Sequence, residues 1–412
     1  MQSETHGVVI IGGGIVGVSL ARALATGGVD ACVLERNGVG AESTGRSAGI
    51  IGQGHRPAPD LPLVTRAMQL WRRLAEESEL DFELRQHGTV SLAWNEAHAS
   101  DLQAMASRER ARGLECVWLD RHETRDRVPA VRGTYVGSIY YPSDASAHPY
   151  RACAALARLA RRAGAVIQEH RAVTAIEVSR GKVTGVQTTE GPIAAEVVVI
   201  AAGSWSASLA GAIGVRIDAE PRRSHLIVTD QIPLIVTPVV ATHLYGYFRQ
   251  TRGGNVLIGY PARPVDGFDR RVTLEAMRIA ATRAARLIPA IAQVPIIRAF
   301  TGFTTWTPDG ESVIGAAREP RGLYVATAFC GRGFALGPAV GELVAELIRT
   351  GHTPVSLDAH NLDRFEGLPI GREREEKHLE PVQVEEAHGG AIAPSDLSGT
   401  SRLKEPDSER RL

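Results

Sequence analysis

The residue types and spacing best suited to chemistry stand at the start of the chain, in Gly12-x-Gly14-x-x-Gly17. Before them lies a short, fully apolar run, residues 8–11, of the kind that forms a buried parallel strand. After them Ile15, Val18, Leu20, Ala21, Leu24 and Ala25 recur at helical spacing. Gly12 permits a tight turn, Gly14 lets a pyrophosphate approach the backbone, and Gly17 lets the helix close on the strand. The helix start, at Ile15 and Val16, presents N–H groups and the positive end of the dipole to phosphate. A second apolar strand, Ala31–Leu34, ends in Glu35, at the spacing of an acid that accepts hydrogen bonds from an adenosine ribose. An acid there argues against the 2′-phosphate of NADP and leaves FAD or NAD.

The elements that must position these residues follow in order. Residues 37–54 form a polar loop of small residues, long enough to be functional, whose Ser43, Thr44, Arg46 and Ser47 are placed to wrap a dinucleotide. Helices are expected over 61–78, 95–113 and 150–163, with strands at Thr89–Ala93 and 135–141. Trp71 reads as core, His148 as a helix-start or packing histidine, and Asp309 with Gly310 as turn chemistry. Strands 165–167, 173–178 and 183–188 lead through Ile193 to a separate apolar strand, 197–201, that runs into Ala202-Gly203-Ser204-Trp205. A second lobe, residues 217–300, alternates strands at 224–229, 245–250 and 255–260 around a Gly253-Gly254 turn, then a helix at 272–287. Strand 323–328 meets the second glycine-rich turn, Gly331-Arg332-Gly333. A helix is expected from Pro338, in its first turn, to Arg349. The charged stretch 371–412 has almost no aliphatic periodicity and reads as a disordered tail.

With 412 residues and no net charge, the chain has room for two or three lobes and no electrostatic bias toward nucleic acid or anionic membrane. Its four cysteines are scattered without metal-ligand spacing, so neither disulfides nor a metal site is expected. The first strand begins near the N-terminus and no apolar run approaches the roughly 20 residues of a membrane span. A cytoplasmic protein without a signal peptide is expected. Nearly all basic residues are arginine, the only lysines being Lys182, Lys377 and Lys404.

The first fingerprint, the AAGSW strand end and the GLYVATAFCGRGFALGPAVGELVAELI block together resemble the D-amino acid oxidase-like FAD oxidoreductases, the group of glycine oxidase and the sarcosine oxidases and dehydrogenases. The likeness covers about residues 6–366. It implies an α/β fold with a Rossmann-type FAD lobe built from discontinuous segments, 1–80, 148–212 and 301–366. An antiparallel-sheet cap, 81–147 and 213–300, would carry the substrate site. Gly12, Gly14 and Gly17 would then contact pyrophosphate, and Glu35 with Arg36 the ribose end. Ser43, Thr44, Arg46, Ser47, Ala48 and Gly49 would lie along the flavin, and Val173 beside adenine. Ala202, Gly203 and Trp205 match the second strand end, and Gly331, Arg332, Gly333 and Phe334 the turn beside the isoalloxazine.

The departures are as informative. A cysteine that tethers FAD in monomeric sarcosine oxidases falls at Gly302, and a histidine that does so in related dehydrogenases falls at Arg46, so FAD is expected to be noncovalent. A carboxylate-clamping arginine falls near Ile51 or Gly52, a lysine of the second glycine turn at Ala335, and a cap histidine at Pro261. The lysine that helps reduced flavin react with oxygen falls at Leu257. A fixed cation there would stabilise developing superoxide, so its loss weakens the oxidase reading against a dehydrogenase.

The resemblance implies oxidation of a C–N bond in an amino acid or secondary amine to an imine, with oxygen or another electron acceptor. Arg249 is the first candidate to bind a substrate carboxylate, with Tyr247 on the same strand face, and His55 and Arg56 the second. Each has a plainer reading, a rim salt bridge for Arg249 and a turn before Pro57 for His55 and Arg56. Two alternatives stay open: a 2-hydroxy acid dehydrogenase on the same fold, and a flavin-binding partner or assembly subunit.

Overall fold

The computed structural model describes residues 4–242 and 246–366. Tyr245 of the expected cap strand and the expected tail lie outside the described residues. The chain from 4 to 366 packs as one unit around two eight-stranded sheets.

The first sheet contains β1 (Glu4–Ile11), β2 (Ala31–Leu34), β6 (Val166–Gln168), β7 (Val173–Ser179), β8 (Lys182–Thr188), β9 (Gly191–Ile200), β15 (Val313–Ala316) and β16 (Leu323–Thr327). β1 lies at its centre, parallel to β2 on one side and to β9 on the other, in register Ile11 with Leu34 and Ile200. Residues 191–200, expected as two strands, form one. Their free edge is divided, β8 pairing antiparallel along Gly191–Ala194 and β16 pairing parallel at Val198–Ile200. That division explains why alternation and then continuous apolarity follow one another within a single strand, since only its second half is buried between parallel neighbours.

α1 (Ile15–Thr26), α2 (Leu61–Glu77), α4 (Pro149–Arg162) and α6 (Gly333–Thr350) cover one face of this sheet. α6 begins five residues earlier than its proline signal predicts, placing Pro338 inside the helix. Residues 334–341 are all buried, so packing overrides the local penalty of a proline that donates no N–H. Gly341 is what lets α6 approach α1, because a Cβ there would lie 2.6 Å from the Leu20 backbone nitrogen.

The second sheet runs in the order β14 (Ile296–Trp306), β10 (Glu220–Gln231), β13 (Asn255–Pro264), β12 (Gly246–Gln250), β11 (Val239–Thr242), β3 (Thr89–Ala93), β5 (Gly137–Tyr141), β4 (Val117–Asp120). The sequence reading misses β4, β11, β14 and β15. β4 is short and three of its four residues are not buried, so it shows little apolar pattern. β14 begins in the second lobe and extends past residue 301, its register with β10 running from Ile296 opposite Thr229 to Trp306 opposite Glu220. One face of the sheet buries Val90, Ile227, Val240, Phe248 and Ile258 with Ala280 and Ala284 of α5 (Leu274–Leu287). Phe248 points into that core, so Tyr247 and Arg249, its neighbours along β12, point from the opposite face.

Candidate functional site

A cavity of about 500 Å³ follows the carboxyl ends of β1, β2 and β9 and reaches β14. Gly12, Gly14, Ile15 and Val16 line it at the first turn, with Glu35 and Arg36 at the end of β2. Ser43, Thr44 and Ser47 line it from the following loop, Val173 from β7, and Ala202, Gly203 and Trp205 after β9. Gly331, Gly333 and Phe334 contribute from the second glycine turn.

Each is positioned by a local reason. Gly12 turns with φ +113°, and a Cβ there would lie 2.5 Å from the Ala201 carbonyl oxygen. Gly17 lines nothing but lets α1 close, since its Cβ would sit 2.0 Å from the Gly12 oxygen. Gly14 is the N-cap of α1 and has no side chain to cap it, so the first turn is open to an anion. Thr44 Oγ1 accepts from the Ile15 N–H at 3.0 Å, fastening the loop to that helix start. The buried Glu35 carboxylate accepts from the Gly13 and Asn37 N–H groups, each at 2.8 Å. It is thereby fixed at the mouth of the phosphate turn with acceptor capacity left for hydroxyl groups. These features fit a dinucleotide such as FAD.

Four other expected cofactor residues do not line the cavity. Arg46 donates to the carbonyls of Ala41 and Thr301, both at 3.2 Å. Ala48 offers its carbonyl to Arg249, and the Gly49 carbonyl accepts from the Ala147 N–H at 2.8 Å. Arg332 turns its side chain away: Nε pairs with Asp60 Oδ2 at 2.5 Å and Nη2 donates to the Gly310 carbonyl at 2.7 Å.

None of the four substrate candidates lines the cavity either. Arg249 is 3 % exposed, and its Nη1 donates to the carbonyls of Ala48 and Ala147, the latter at 2.9 Å. Burial lowers its pKa to about 10. This side chain ties β12 to the loop after β2 and to the segment before α4. The Tyr247 ring lies across Gly259 on β13, where a Cβ would come within 1.9 Å of it, and burial raises its hydroxyl to about 12. His55 is exposed at φ +59°, with Nε2 2.8 Å from Ser91 Oγ and its backbone N–H on Glu109 Oε1 at 2.8 Å. Arg56 donates twice to the Gly52 carbonyl, and burial together with the nearby Arg332 lowers it to about 10.

The sequence reading misses the acids that hold this region. Glu109 also accepts from the Tyr141 hydroxyl at 2.7 Å, and Asp144 accepts from the Gln53 N–H at 2.8 Å, its carboxyl raised to about 6 by burial. Asp60 is fully buried before α2 and makes no capping bond, although its position resembles a cap. Asp60, Glu311 and His360 bring ligand atoms within 4.8 Å of one another. The Arg332 guanidinium already supplies the positive charge there, which weakens the case for a metal. Thr304 and Thr305 line the cavity from β14, an element with no strong strand signal of its own.

The first sheet is parallel at its centre, around β1, β2, β9 and β16, and carries the glycine turn; the second is mixed rather than purely antiparallel as expected, because β11 pairs parallel with β3, and its β14 reaches the cavity. This arrangement defines a flavin-type dinucleotide oxidoreductase. The chain belongs to the FAD dependent oxidoreductase family, DAO, whose model matches residues 7–347. It is 32% identical over 377 residues to a glycine oxidase from Geobacillus kaustophilus, covering 89% of this chain and 99% of the relative. It is 26% identical to the sarcosine oxidase subunit beta of an Arthrobacter species over 88% of this chain and 92% of that one. The solved L-proline dehydrogenase from P. horikoshii superposes with a TM-score of 0.84 at 29% identity, over 88% of this chain and 98% of that one. The protein is an FAD-dependent oxidoreductase. No helix among the described residues is long and apolar enough to cross a membrane.

Proposed function

We propose that the protein oxidises the C–N bond of an amino acid or secondary amine to an imine, which water then hydrolyses. The observation that carries this reading is similarity along nearly the whole chain to a glycine oxidase and an L-proline dehydrogenase, whose names place the reaction next to nitrogen. FAD supplies the hydride acceptor; the chain's residues bind the cofactor, exclude water and orient the amine. The substrate carbon gives up a hydride and the nitrogen a proton, so the amine must arrive uncharged, which a dry pocket favours. The cap, residues 81–147 and 213–300, is the proposed substrate side, and the segments 1–80, 148–212 and 301–366 the cofactor side.

Among the described residues lining the cavity, Arg36 is the only lysine or arginine, and it stands beside Glu35 at the ribose end. Thr44, Ser47, Thr304 and Thr305 line it with hydroxyl groups instead. Leu257 lies opposite Arg249 in the cap sheet, and Arg249 Nη1 is engaged by two carbonyls. Leucine at that position offers reduced flavin no charge to stabilise developing superoxide, which supports an acceptor other than oxygen. The test is turnover of glycine, N-methyl amino acids, proline and 2-hydroxy acids with an artificial electron acceptor, scoring the oxo product. Turnover of an amine with little hydrogen peroxide in air fits the proposal, and turnover of a 2-hydroxy acid alone contradicts it.

A further inference from the structure

The loop 265–273, between β13 and α5, carries Phe268 and Arg270 to the cofactor cavity without lining it. The Phe268 ring stacks on Trp205 with centroids 4.7 Å apart and planes 14° from parallel. Phe303 meets both rings edge-on, at 5.6 Å from Phe268 and 6.2 Å from Trp205. The Arg36 guanidinium carbon lies 3.8 Å over the Trp205 ring. Arg270 Nη2 pairs with Glu42 Oε1 at 2.5 Å, and the Arg270 carbonyl accepts from Thr301 Oγ1 at 2.8 Å. Trp205, Arg36, Glu42 and Phe303 all line the cavity. The loop therefore grips the cavity wall at two points, one aromatic and one ionic, beside the acid at the ribose end.

We propose that Phe268 and Arg270 are positioning residues for cofactor retention, holding Trp205 and Glu42 in place so that the loop latches the adenosine half of FAD. The proposal rests on the FAD assignment. A cofactor without a covalent bond leaves at a rate set by how its cavity opens, and the loop contributes contacts that opening must break. Phe268 remains 38 % exposed, so the loop is a surface element whose loss leaves the cores intact.

The experiment follows FAD release from the purified holoprotein after dilution, by recovery of free-flavin fluorescence, with the melting temperature of the apoprotein measured beside it. Phe268→Ala is expected to release FAD about tenfold faster, the scale of one lost aromatic pair, with the apoprotein melt unchanged. Phe268→Tyr keeps the stack and should release FAD at the wild-type rate. Arg270→Gln should accelerate release about twofold to fourfold at low salt, the scale of an exposed ion pair, and this effect should vanish in high salt. Release from Phe268→Ala at the wild-type rate overturns the latch, as does an equal fall in the apoprotein and holoprotein melts. A wild-type protein that binds no FAD overturns the cofactor assignment instead, so the two failures are separable.

Discussion

Gly302 packs directly against Arg46: a Cβ on Gly302 would lie 3.1 Å from the Arg46 Cβ. These are the two positions at which the family resemblance places a tethering cysteine and a tethering histidine, and in the fold they are neighbours. Neither residue here has a nucleophile to form the bond. Denaturing the holoprotein with acid should therefore release all of its flavin to the supernatant as intact FAD. Yellow colour retained in the precipitate would contradict this.

Arg249 distinguishes a structural tie from a substrate clamp. Its Nη1 holds two buried carbonyls on different segments, Ala48 and Ala147. Arg249→Ala should lower stability by about 3 kcal/mol, from two charged hydrogen bonds of about 1.5–3 kcal/mol each less relaxation. FAD affinity should fall with it. In FAD-saturated protein the KM for carboxylate-bearing amines should change less than threefold. A clamp would give the reverse: an unchanged melt and a KM raised about a hundredfold or more, as expected when a buried ionic partner is removed.

Glu311 gives a pH signature. Burial, reinforced by the charge of Asp60, raises its carboxyl to about 7 from an ordinary 4.5. Between those values the folded protein keeps a proton that the unfolded chain has lost, so this group's contribution to stability falls as pH rises through the window. Above pH 7 the folded state carries the full cost of the charge. Glu311→Gln should melt higher than wild type at pH 8, with the gap narrowing toward pH 7. Burial also lowers the pKa of the neighbouring His360, whose own contribution falls as pH drops below 6.5, so the comparison is read between pH 7 and 8, where that imidazole is neutral. A gap that does not change with pH would contradict the assignment.

The cofactor half was largely legible in the sequence because its determinants are local. Gly12, Gly14 and Gly17 meet geometric demands within one turn, and Glu35 follows from strand spacing. The boundaries that failed were set by tertiary packing: α6 extends through Pro338 because buried neighbours enclose it, and β9 is continuous because two partners share one edge. The substrate side was less legible. Tyr247 and Arg249 do share a face, as strand alternation predicts, but nothing local to Arg249 shows that carbonyls 102 and 201 residues away will occupy it. Asp60, which the sequence reading does not single out, pairs with Arg332, a long-range partner that spacing cannot reveal.

The most direct test of the central claim is anaerobic titration of the yellow holoprotein with a panel of amino acids, N-alkyl amino acids and 2-hydroxy acids, followed at the flavin absorption band. The account predicts that at least one amine bleaches the flavin within the mixing time of a turnover and that colour returns slowly when air is admitted. A protein bleached only by 2-hydroxy acids, or by none of the panel while chemical reductants bleach it readily, would contradict oxidation of a small amine at its C–N bond.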